Sequence, residues 1–329
     1  MRSSRDPSVR SRGWPAALAL ALALPLAGCG PEADRPAASP SASSPYAGTT
    51  ATPGTRERLR VDGRTREYLL HRPAPATATG RPKPLVIAFH GRGANAAHLR
   101  EQSRLERAAG ARGMLVAFPE GLGEGWGAGT RATEQRPDPG LDVRFTEALI
   151  AHLVRTEGAD PERVYVTGFS NGGSMALRVA AERPGLVAGA ASVSGQLPAG
   201  PARVRPTGAV PVLVVYGADD PVRPLGGWPS PPPGPGEPVL PTLSARASAE
   251  AFAAAGGAGA PVTKAERGRD RTVWRLKDPS DPAATVKLVV VHDAGHTWPG
   301  SAMTPPEGFG RTSTALDATD AVLDFFAAA

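Results

Sequence analysis

With one cysteine, Cys29, in 329 residues, the chain can form no internal disulfide and no cysteine-ligated zinc or iron–sulfur centre. Aromatic residues make up only 5%, and charged residues 21%, far from an acidic or basic low-complexity chain. The 41% apolar content is too high for wholesale disorder. No apolar run reaches the ~20 residues that a membrane-spanning helix needs. The excess of Lys and Arg over Asp and Glu is 37 against 31, or +6. Residues 1–28 hold four Arg and one Asp, which is +3 of that total, so the remainder carries only +3 and gives no argument for a nucleic-acid partner. What the chain has in quantity is glycine (39) and proline (36), hence long loops and linkers.

Arg2, Arg5, Arg10 and Arg12 precede the apolar run Trp14–Leu26, the pattern of a secretory signal. The junction Leu26-Ala27-Gly28-Cys29 looks like a lipobox, in which Cys29 is diacylated and becomes the mature N-terminus. The alternative is cleavage nearby that leaves a free thiol. Lipid on Cys29 would make the membrane a partner without a spanning helix. The expected location is therefore exported, on the outer face of a bacterial cell membrane or extracellular. Residues 30–55 are rich in Pro, Ala, Ser, Thr and Gly with almost no bulky apolar groups, which predicts a disordered tether. The expected organisation is a lipoprotein signal peptide over 1–28, a lipidated cysteine and linker over 29–55, and one folded domain over 56–329.

In that domain, Leu59–Val61 and Tyr68–His71 flank Asp62-Gly63, a strong hairpin signal. Apolar runs at Leu85–Phe89, Met114–Phe118, Val164–Thr167, Val187–Val193, Val210–Tyr216 and Val286–Val291 have the continuous character of parallel strands buried on both faces. Helices are expected over 96–110, 141–156, 171–182, 243–255 and 314–327. Alternating strands and helices predict a single α/β domain with a mostly parallel central sheet. Residues Trp228–Pro241, with seven prolines, form an excursion within it.

Gly168-Phe-Ser170-Asn-Gly172 sits between a predicted strand and a predicted helix, the context a nucleophile elbow requires. Small residues two before and two after Ser170 let backbone segments pass closely. The hydroxyl is thereby lifted to a helix N-terminus that favours developing negative charge. The alternative is a glycine-rich turn capped by serine. A serine nucleophile needs a base and an orienting acid. Of six histidines, His296 lies in a Gly/Pro-bounded loop after the last strand, with His292 closer to the strand and expected to bond locally. His98 and His152 fall on predicted helices and are expected to face solvent. Asp219 and Asp220 follow the Val212–Tyr216 run; Asp220 is favoured as the acid, with Asp219 bracing the turn. The backbone N–H groups of Asn171 and Arg92 are the expected oxyanion donors, with Gly91 second. Gly91-x-Gly93-x-x-Ala96 also fits a dinucleotide fingerprint, but the acid expected ~20 residues on is absent, since Glu120 is 27 past Gly93.

Taken together, Phe89-His-Gly-Arg-Gly93, Phe118-Pro-Glu-Gly121 with Gly125-Trp126, Asp142-Val-Arg-Phe145, Gly168–Gly173, Gly217-Ala-Asp-Asp-Pro-Val222 and Gly295-His-Thr-Trp-Pro-Gly300 resemble the secreted polyhydroxybutyrate depolymerase/feruloyl esterase family. That family is related to carbohydrate esterase family 1 and lies within the α/β-hydrolase superfamily. The resemblance covers residues ~56–327. It implies an α/β-hydrolase fold, a triad of Ser170, Asp220 and His296, an oxyanion loop at His90–Gly93, and a cleft lined by Trp126, Trp298 and His90. For both tryptophans, core packing is the competing expectation. Tyr216 stands where the family often has His, Leu225 where an aromatic residue is frequent, and the Pro-rich stretch 228–241 reads as an insertion beside the acid loop.

The expectation is thus a serine esterase needing no metal or cofactor. Its substrates range over polyhydroxyalkanoate, feruloyl or acetyl esters on polysaccharide, and small acyl esters. A peptidase on the same fold is the second enzyme reading. A non-catalytic lipoprotein that binds polysaccharide is the reading from another class, and it needs none of Ser, His and Asp in register.

Overall fold

The Asp62-Gly63 turn, both residues at positive φ, folds β1 (Thr55–Val61) back antiparallel on β2 (Arg64–His71). This hairpin opens the computed structural model, which describes residues 55–73, 81–134, 136–231, 239–277 and 284–329. The expected signal peptide, Cys29 and linker lie outside the described residues. β2 pairs antiparallel with β4 (Leu115–Pro119), which lies parallel to β3 (Lys83–Phe89). The parallel core continues through β5 (Ala159–Phe169), β6 (Gly189–Val193), β7 (Val212–Gly217) and β10 (Thr285–Val291). A second antiparallel hairpin, β8 (Val262–Glu266) and β9 (Arg269–Arg275), closes the far edge on β10. The order across the sheet is β1-β2-β4-β3-β5-β6-β7-β10-β9-β8.

The central strands are apolar at consecutive positions because helices cover both faces. Leu85, Ile87 and Phe89 of β3 point into one layer with α3 (Leu141–Glu157), α4 (Asn171–Glu182) and α5 (Ala245–Ala255). Val86 and Ala88 point into the other, with α1 (Ala96–Ser103), α2 (Leu105–Ala111) and α6 (Ala318–Ala327). The expected helix over 96–110 is in fact two, broken where Arg104 takes a left-handed conformation at φ 51°. The last helix starts at 318, four residues later than its apolar spacing predicts. Asp317 caps it there, its carboxylate accepting from Thr319 and Asp320 N–H groups. The β8–β9 hairpin was not expected. It turns at Arg267-Gly268, Gly268 having φ +73°, and carries too many exposed polar residues to leave an apolar run.

Candidate active site

The elbow is built by steric necessity. A Cβ at Gly168 would stand 2.4 Å from the Gly172 backbone, and one at Gly172 would stand 2.0 Å from the Phe89 carbonyl oxygen. Only glycine lets β5, β3 and the start of α4 pass so closely. Between them Ser170 is held at φ 54°, ψ −115°, a strained conformation for a non-glycine residue. Its N–H donates to Val193 O at 2.8 Å.

From Ser170 Oγ it is 2.8 Å to His296 Nε2, and from His296 Nδ1 2.7 Å to Asp220 Oδ2. Asp220 is fixed in turn, because its Oδ1 accepts from the N–H groups of Val222 (2.9 Å) and Arg223 (2.7 Å). Aiming at the imidazole and bracing the turn therefore both fall to Asp220. Asp219, expected as the brace, is exposed. His296 is buried, and that burial holds its pKa below 6.5, with the charge of Arg223 acting in the same direction and Asp220 opposing both. His292 bonds Asp270 Oδ2 at 3.0 Å instead. His98 is buried rather than solvent-facing, and burial lowers its pKa to about 4.

Ser170, Asn171, His296 and Arg92 line one cavity of about 210 Å³, together with Trp126. The other two residues expected in the cleft lie elsewhere. Trp298 is buried among Leu99, Ala318 and Phe326, its indole N–H donating to Thr319 Oγ1 at 3.0 Å. It packs the helices behind the histidine loop. His90 is also buried, and its Nε2 accepts from Gly121 N–H at 2.9 Å. That donor makes the other nitrogen the protonated one, so Nδ1–H donates to Gly91 O at 2.7 Å. Burial drives the His90 pKa down to about 4. His90 ties the Gly91–Gly93 loop to Gly121 and is not among the residues lining this cavity.

A buried network missed in the sequence supports the cavity rim. The Asp142 carboxylate accepts from Arg66 (3.0 Å) through Oδ1, and from Arg136 Nε (2.9 Å) and Gly127 N–H (2.8 Å) through Oδ2. Arg136 also donates to the carbonyls of Leu122 and Gly125, and Arg66 to that of Glu120 at 3.1 Å. The loop bearing Trp126 is thereby pinned to α3. Trp228 and Leu240 also line the cavity, so the Pro-rich excursion begins and ends in the site wall. Its base is closed by the backbone pair of Trp228 and Thr242, at 3.2 and 3.0 Å. Phe309, absent from every sequence argument, stands 5.4 Å from the His296 ring and lines the cavity too.

Six parallel strands, helices on both faces and a strained serine at a strand–helix elbow define an α/β-hydrolase. The dienelactone hydrolase family model matches residues 128–226, the segment that holds the elbow and Asp220. A protein of Nocardia uniformis subsp. tsuyamanensis named "Putative esterase NocK" is 41% identical over 94% of this chain and 96% of its own. Feruloyl esterase C of Emericella nidulans is 31% identical over 49% of this chain and 57% of its own. The solved acetyl xylan esterase from Aspergillus awamori superposes with a TM-score of 0.55 at 16% identity, covering 84% of this chain and 100% of that one, which is likeness of fold. The chain belongs to the α/β-hydrolase family of esterases that its Nocardia relative represents.

Proposed function

We propose that this carboxylic ester hydrolase works through an acyl-enzyme on Ser170. His296 Nε2 takes the Ser170 proton as Oγ attacks the ester carbonyl carbon. The oxyanion is received by the N–H groups of Asn171 and Arg92. His296 then gives its proton to the leaving alcohol; in the second half-reaction it takes a proton from the water that attacks the acyl carbon and returns it to Ser170 Oγ as the C–Oγ bond breaks, which releases the acid and restores Ser170. Asp220 keeps the proton of the neutral imidazole on Nδ1 and stabilises the cation that forms. The observation carrying this reading is the unbroken hydrogen-bonded line from Ser170 through His296 to Asp220, opening on the cavity.

Feruloyl and acetyl esters of polysaccharide enter as candidate substrates through the relatives' names, and polyhydroxyalkanoate through the motif resemblance alone. A cavity of about 210 Å³ is small beside the ~300–1,000 Å³ typical of sites for drug-sized ligands. It supports a small acyl group on a soluble or cell-envelope ester. Export and a lipid anchor on Cys29 belong to the same proposal and rest on the sequence of residues 1–29.

The test is hydrolysis of p-nitrophenyl acetate, butyrate and octanoate by the full chain and by Ser170→Ala, with fluorophosphonate labelling beside it. Parent activity that the variant lacks, with label on Ser170, supports the reading; an unlabelled Ser170 overturns it. Incorporation of radiolabelled palmitate by the parent and not by Cys29→Ala tests the anchor.

A further inference from the structure

Among the described residues that line the cavity there are four arginines, Arg92, Arg131, Arg136 and Arg223, and no carboxylate. Arg136 is spoken for by Asp142. Arg131 and Arg223 have no ion-pair partner among the described residues. Arg131 is exposed at the rim. Arg223 is the more telling of the two, since it is half-buried in the cavity wall, where partial desolvation lowers its pKa. The nearest acid gives it no direct bond. Asp220 spends Oδ2 on His296 and Oδ1 on two backbone N–H groups, one of them Arg223's own. A half-buried cation that no carboxylate bonds directly is costly to keep. This one stands close enough to the catalytic centre for its charge to be felt at His296.

We infer that the cavity selects esters that also carry an ionised carboxylate, which Arg223 grips beside the nucleophile while Arg131 assists from the rim. The inference rests on the esterase reading of Ser170 and names the substrate class of that site. A guanidinium presents a planar fork of donors that matches a carboxylate, and the bond strengthens in a water-poor cleft. An anion arriving there would provide the counterion that the folded chain does not. The same charge on a neutral substrate would meet nothing.

Two matched pairs test this at pH 7.5 with the full chain: monoethyl against diethyl adipate, with the charge on the acyl side, and 4-acetoxybenzoate against its methyl ester, with the charge on the alcohol side. In at least one pair the charged member should have the higher kcat/KM, by about tenfold or more. Arg223→Met should lower that charged-to-neutral ratio by about tenfold and Arg131→Met by less. Arg223→Lys should keep part of it. Preference for the neutral member in both pairs overturns the inference. So does an Arg223→Met variant whose ratio is unchanged and whose acid pH limb moves equally on both esters, because Arg223 would then act on His296 alone. If fluorophosphonate labels Ser170 and neutral esters are cleaved without charge preference, the esterase stands and only this inference falls. If Ser170 is not labelled, both fall together.

Discussion

The carboxamide of Asn171 grips Trp126 by its backbone at both ends: Oδ1 accepts from the Trp126 N–H at 2.7 Å, and Nδ2 donates to the Trp126 carbonyl at 3.1 Å. The residue proposed to offer its main-chain N–H to the oxyanion thus uses its side chain to hold the loop over the elbow. Trp126 continues the chain of support, its indole N–H donating to His90 O at 3.0 Å. Ser170, the Gly91–Gly93 loop and Trp126 therefore share one scaffold.

Asn171→Ala keeps the backbone donor and removes both grips. The expected result is a loss of about 1–3 kcal/mol in stability, since buried partners are left unmet, seen as a lower urea midpoint. A fall of about tenfold or more in kcat/KM on p-nitrophenyl butyrate should accompany it. Wild-type activity in a variant of reduced stability would separate the scaffold from the chemistry and refute the link.

Asp142 is the keystone of the rim. Replacing it by Ala leaves Arg66 and Arg136 buried and mutually repelling, with burial already the main influence lowering the Arg66 pKa. Removing one partner of a buried ion pair costs about 3–5 kcal/mol, so Asp142→Ala should show a strongly lowered Tm by calorimetry. Asp142→Asn should fall between it and the parent, because the amide oxygen can still accept from one side. A Tm within 1–2 °C of the parent would mean that the loop is held by other means.

How much of this was legible in the sequence differs by the kind of interaction. The elbow was legible because its two glycines flank the serine at fixed spacing between a strand and a helix, even though part of what demands them is the distant Phe89 backbone, and His296 because it sits in a distinctive loop after the last strand. Buried pairs such as Arg66 with Asp142, 76 residues apart, leave no local trace, since only the folded sheet brings them together. Motif strings mark residues that matter without saying how. His90 and Trp298 both lie in the strings that carry the resemblance, yet the first ties two loops and the second packs two helices. Arg104, which breaks the predicted helix, has no residue signature, because a left-handed arginine is stabilised by its surroundings and not by its own preference.

Histidine burial sets the acid side of the pH dependence. In the proposed mechanism His296 acts as base only when neutral, and its pKa lies below 6.5, so kcat/KM should hold down to pH 6.5 and fall only beneath it. Stability follows a parallel course. His90 and His98, each pushed to about 4 by burial, stay neutral in the fold while the unfolded chain takes up protons near 6.5. Between those values the unfolded state binds more protons, so stability is full above pH 6.5 and declines as pH falls towards 4. The contribution at risk is up to about 3 kcal/mol for each histidine. Urea midpoints measured from pH 8 to 4 check this; a flat profile across that window would contradict it.

The two tryptophans of the motif strings should respond to mutation in opposite ways. Trp126 faces the cavity and is braced edge-on against Phe89, with ring centroids 5.0 Å apart. Trp126→Phe loses the indole bond to His90 and reshapes the cavity wall. It should raise KM and change the preference among acetyl, butyryl and octanoyl esters. Trp298→Phe loses only the bond to Thr319 and some packing between the histidine loop and α6. It should lower stability by about 1–3 kcal/mol while leaving KM and chain-length preference near those of the parent. Steady-state kinetics on the three esters, beside thermal melts of both variants, decide the matter. A changed acyl preference in Trp298→Phe would return that residue to the cleft, and an unchanged one in Trp126→Phe would remove Trp126 from it.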